Sequence, residues 1–255
     1  MTGSARGRIG GSGYGERVPL VAAAVCPHPP LLVPEVAGAA ARELDDLRAA
    51  CDAALARLLA AGPELILLVG GGPETVSFRS ADHGSLRAYG VDRDVRLWKV
   101  NCAGSERLPL SLTIGAWLVG RSGTDLPRFA HAVAADASPA QCARLGAELV
   151  EAAEHRVALL VLGDGSACRG RQAPGYDDPR APAYDEGVAR ALADADAEAL
   201  LGLDPTLSAE LRVAGRAPWQ VLAGAAAAGG TWRGELGHHE APYGVAYLVA
   251  NWELA

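Results

Sequence analysis

The apolar positions along the chain follow two rhythms. Short unbroken runs, Val18–Val25 (VPLVAAAV), Glu64–Gly70 (ELILLVG) and Arg156–Ser166 (RVALLVLGDGS), are bounded by Gly, Pro or Ser, the signature of strands buried on both faces. Longer stretches repeat apolar residues at three- and four-residue spacing. From Gly38 to Ala61 the repeat is Leu44, Leu47, Cys51, Leu55 and Leu58, which predicts an amphipathic helix ended by Gly62-Pro63. Pro109–Gly120 predicts a second helix, and Ser138 caps a third that runs to about Glu154. Arg128–Asp136 and Asp94–Val100 read as further strands. A helical region follows from Tyr184 to Leu203, with two more helical stretches between Thr206 and Ala228. The chain closes on two strand-like runs, TWRGELGHHE and YGVAYLVANWEL, close enough to form an antiparallel pair. Strand alternating with helix predicts one α/β domain of three layers, with a mainly parallel central sheet and an antiparallel C-terminal strand pair.

Composition narrows the classes. Residues 1–17, rich in Gly, Ser and Arg, read as a flexible tail ahead of a domain spanning 18–255. The formal net charge is −7, with no basic patch, which argues against nucleic acid as a partner. No apolar run approaches the roughly 20 residues of a bilayer span, so a soluble protein without membrane contact is expected. The 5 cysteines are scattered without C-x-x-C spacing, as in a reduced, cytoplasmic protein.

Ligands of open α/β sheets gather beyond the carboxyl ends of the strands. Four sequence features fall there: CPHPP (Cys26–Pro30), GGGPE (Gly70–Glu74), GDGSACRG (Gly163–Gly170) and GHHEAPYG (Gly237–Gly244). The prolines flanking His28 hold its backbone and lower the entropic cost of fixing one imidazole. The glycine triplet lacks the G-x-G-x-x-G spacing and a lysine, so it reads as a tight turn rather than a phosphate cradle. Asp164 and Ser166 are expected to line the same pocket as His28, with Arg169 and Arg171 making its rim electropositive. A weaker reading makes Ser166 or Cys168 a nucleophile with His28 as base, although Asp164 stands where a G-x-S-x-G elbow needs its first glycine. On a strand, His238 and Glu240 share a face while His239 points away.

The order PHPPLLVPEVAG, GDGS and HEAPYGVAYLVA resembles the catalytic subunits of the class III extradiol ring-cleavage dioxygenase superfamily, from about Val18 to Trp252. PLSLTIGAWLVG and APGYDDPRAP point to an actinobacterial, dioxygenase-like branch. The resemblance implies non-haem Fe(II), or another divalent metal, held by two histidines and a carboxylate, with an aromatic or heterocyclic small molecule as ligand. It assigns His28 as one metal ligand and Glu240 as the carboxylate. Two positions depart from the family pattern. Gly70, Gly71 and Gly72 stand where the second histidine is expected, and Ala167 stands where the acid–base histidine follows Ser166. The resemblance therefore implies an incomplete iron site, which His238 completes if it faces His28, with His83 as the other candidate. The alternative it leaves open is a metal-free pseudoenzyme that binds a ligand or a partner. Self-association is compatible with the sequence, which does not decide it.

Overall fold

The computed structural model describes residues 19–98 and 107–255. The expected tail, residues 1–17, and the last two residues of the expected strand Asp94–Val100 lie outside the described residues. The elements, in chain order, are β1 (Leu20–Cys26), α1 (Pro34–Ala37), α2 (Asp45–Ala60), β2 (Leu65–Gly72), β3 (Val76–Phe78), β4 (His83–Ser85), β5 (Asp94–Arg96) and α3 (Leu110–Arg121). They continue with β6 (Arg128–Ala134), α4 (Pro139–Glu151), β7 (Val157–Leu162), α5 (Ala181–Ala193), α6 (Ala197–Leu201), α7 (Pro205–Glu210), α8 (Arg216–Ala227), β8 (Trp232–Glu240) and β9 (Tyr247–Leu254).

Seven strands form the central sheet in the order β3-β6-β2-β7-β1-β9-β8. The inner four, β6, β2, β7 and β1, run parallel. Their residues are apolar without alternation because both faces are covered. One face packs on α2 and α3 through Ala24, Cys26, Leu68, Leu160, Leu162 and Val249. The other packs on α4, α5 and α8 through Ala23, Val25, Val69, Val161 and Leu248, with Trp219 supplied by α8. The architecture is thus the expected three-layer α/β one, with β9 antiparallel to β1 and to β8. At the opposite edge β3 is also antiparallel, to β6, which the sequence did not announce.

Three local expectations need correction. The α-helix expected from Gly38 begins only at Asp45, because Gly38 sits at φ 56° and Gly38–Leu44 winds as a 3₁₀ helix. The strand expected over Asp94–Val100 is the short β5, which pairs with β4 in a separate two-stranded sheet. The glycine triplet is no turn: Gly70, Gly71 and Gly72 are the last three residues of β2 and pair with Ala132, Val133 and Ala134. The reason is close helix packing. A Cβ on Gly70 would lie 2.5 Å from Ser111 Oγ and 2.8 Å from Ser111 Cβ, and Ser111 Oγ donates to the Gly71 carbonyl at 2.6 Å. Only hydrogen at Cα lets α3 dock so near the strand.

Candidate ligand site

β1 leaves the sheet toward α2 on one face, whereas β7 leaves toward α5 on the other. Between adjacent parallel strands whose connections part in this way lies a crevice, the usual ligand position of open α/β sheets. His28 and Asp164 occupy it, because Cys26 and Leu162 are register partners at the strand ends. The His28 main-chain N–H donates to Asp164 Oδ1 at 2.8 Å, and His28 Nδ1 lies 3.7 Å from the same oxygen. The imidazole is 11% exposed, and its Nδ1 is buried without a hydrogen-bond partner. A buried polar atom left unpaired in this way calls for an occupant, a ligand group or a water.

The strand after the GDGS loop brings a third group. Gly165 N donates to the Ala246 carbonyl at 2.8 Å and Ala246 N to the Ser166 carbonyl at 2.9 Å, which sets the start of β9 beside Asp164. Tyr247 follows, 3% exposed, with burial and then the Asp164 charge pushing its phenol well above the ordinary tyrosine range. The turn feeding it is closed by Gly244 N on the Ala241 carbonyl, with Gly244 at φ 75°, and Tyr243 beside it donates to Glu43 Oε2 at 2.7 Å.

The other residues singled out from the sequence fall in different places. His238 and Glu240 pair with Val249 and Tyr247 and so face the His28 side of the sheet, 4.0 Å apart at their nearest atoms. His239 pairs with Leu248 and points to the opposite face, 4.0 Å from Glu186 of α5. A bulge between Leu236 and His238 sets this phase. Glu240 is 66% exposed at its side chain, and β9 separates it from β1 by two strand spacings, about 10 Å. His83 sits in β4, where its carbonyl accepts from Leu108 N at 2.9 Å. Among the described residues no group of three or more His, Cys, Asp or Glu side chains is arranged to hold a metal ion. The donor set His28, His238 and Glu240 is not gathered into one.

Ser166 does not open onto the crevice. It is fully buried; its N–H and hydroxyl both donate to Asp185, at 2.8 and 2.5 Å. Asp185, 0% exposed, also accepts from Arg169 Nη1 at 3.1 Å, so the Arg169 charge is paired inward and does not make the rim electropositive. Cys168 is buried, and burial raises its thiol pKa, the opposite of what a nucleophile needs. Asp185 and Tyr247 are the residues that sequence reading missed. Asp185 carried a signal: it falls on the stripe Ala181, Asp185, Val188, Leu192, whose other members are core, and an acid there demands partners.

No family model matches the chain, and no curated protein does. Among solved structures it is similar to an uncharacterized protein of Escherichia coli K12, at 13% identity and a TM-score of 0.49, over 91% of this chain and 99% of that one.

Proposed function

We propose that this chain is a dioxygenase-like α/β protein that works without a resident metal, its His28–Asp164 pair binding a small molecule at the carboxyl edge of the sheet. The observation that carries the reading is the unpartnered, buried Nδ1 of His28, 3.7 Å from a carboxylate oxygen that accepts the residue's own N–H. A fixed imidazole backed by a carboxylate can bind a polar group or exchange a proton with it. Support comes also from what surrounds it. The end of β2 carries glycines closed over by α3, and Ala167 follows Ser166. Among the described residues no helix is long and apolar enough to cross a membrane, and the reading places the protein in the cytoplasm. A second reading, Fe(II) held by His28 with His238 and Glu240, is favoured by the latter two sharing one face. Metal stoichiometry of the purified chain separates them: the first expects well under one ion per chain, the second one ion that depends on His28.

A further inference from the structure

The His28–Asp164 crevice has a definite polarity. His28 Nδ1 is an acceptor in the Nε2–H tautomer and has no partner. Asp164 uses Oδ1 for His28, leaving Oδ2 as a second acceptor. Tyr247, a residue 3% exposed at the start of β9, brings a phenol oxygen within the influence of the Asp164 charge. Across the pairing row stands Glu240, opposite Tyr247, and Glu43 lies behind Tyr243. Two arginines of the surrounding segments are engaged elsewhere. Arg169 is bound to Asp185, and Arg48 bonds the Leu32 and Ala41 carbonyls and Asp45. One unpartnered imidazole nitrogen, a carboxylate with a second oxygen and a phenol oxygen, with both of these cations turned to other partners, suit a small group that donates several hydrogen bonds and carries positive charge.

We infer that the crevice formed by His28, Asp164 and Tyr247 takes the ammonium head of a slim primary amine, its three N–H groups meeting His28 Nδ1, Asp164 Oδ2 and the Tyr247 oxygen. This rests on the metal-free reading of the same site and names its ligand class. An ammonium is little larger than water, and Leu31 and Val245, partly buried and close in the chain to His28 and Tyr247, are apolar residues available to an alkyl chain. An anionic head meets Asp164 and is repelled. The ligand class is therefore the reverse of the anion that an electropositive rim of Arg169 and Arg171 would attract.

The test uses the full chain and three four-carbon probes with different heads: n-butylamine, n-butanol and butyrate, titrated by calorimetry near neutral pH. The amine is expected to bind at least tenfold more tightly than butyrate. Tyr247→Phe should weaken the amine about tenfold, as loss of one hydrogen bond to a charged group does. Asp164→Asn, which keeps an acceptor for the His28 N–H, should weaken the amine by tenfold or more and leave butanol unchanged. Circular dichroism of each variant confirms that it folds, and His239→Ala, on the opposite face, serves as the unaffected control. Butyrate binding as tightly as the amine, no binding by any probe, or amine affinity indifferent to Tyr247→Phe and Asp164→Asn overturns the inference; a buried water then satisfies the three groups. Metal content of the same samples keeps the two proposals apart. Stoichiometric metal with amine binding intact defeats the metal-free reading alone, and metal-free protein without amine binding defeats this inference alone.

Discussion

Asp185→Ala removes the acceptor on which the loop after β7 is hung. Three donors converge on that carboxylate: Ser166 N–H at 2.8 Å, Ser166 O–H at 2.5 Å and Arg169 Nη1 at 3.1 Å. Ser166 is 0% exposed, so both of its donors would be stranded without water, whereas Arg169, with 28% of its side chain exposed, can turn outward. At about 1–3 kcal/mol for each stranded buried donor, the substitution should cost about 4 kcal/mol. For a chain of this size that is a fall in Tm of about 8–16 °C. Urea unfolding followed by circular dichroism should show a lower midpoint at unchanged slope. Because the cost lies in stranded donors, adding Ser166→Ala should cost less in the Asp185→Ala background than in wild type, a coupling the double-mutant cycle reads directly. A loss below about 1 kcal/mol, or strictly additive single substitutions, would refute the reasoning.

Other expectations follow from the packing and the titrating groups. Gly70→Ala should destabilise the chain by about 1–3 kcal/mol, measured by urea unfolding, because its methyl enters the space of Ser111 and pushes α3 off β2; a neutral result would show that α3 yields freely. Tyr184, hydrogen-bonded to Ser208 at 2.7 Å, has its phenol pushed up to about 12, chiefly by burial. A pKa raised in the folded state gives stability that is present below about pH 10 and lost as pH climbs toward 12, about 2–3 kcal/mol in all. Alkaline unfolding profiles of wild type and Tyr184→Phe should therefore diverge in that window, the variant falling less steeply.

The parts of the fold legible in the sequence are those set by local burial. Strands β1, β2 and β7 are continuous apolar runs because helices cover both faces, and Ser138 announced α4 as its cap, to which the structure adds a capping box with Gln141. The opposed phase of His239 against His238 and Glu240 also followed from strand alternation, since the bulge between Leu236 and His238 falls before that segment. What escaped depends on contacts distant in the chain. A glycine triplet reads alike whether it turns or lies beneath a helix, and only the arrival of Ser111 distinguishes the two. His28 meets Asp164 across 136 positions, and Tyr247 reaches them only because β9 runs antiparallel to β1. The pairing of Arg169 with Asp185 withdrew one expected cation from the rim for the same reason: a cation's effect depends on a partner that local composition does not name.

Whether the His28–Asp164 site functions without a resident metal is decided by anaerobic calorimetric titration of Fe(II) into the metal-stripped chain, with His28→Ala in parallel. Weak uptake well short of one ion per chain is expected in wild type. Tight binding of one ion per chain, abolished in His28→Ala, would contradict it and restore iron to the site.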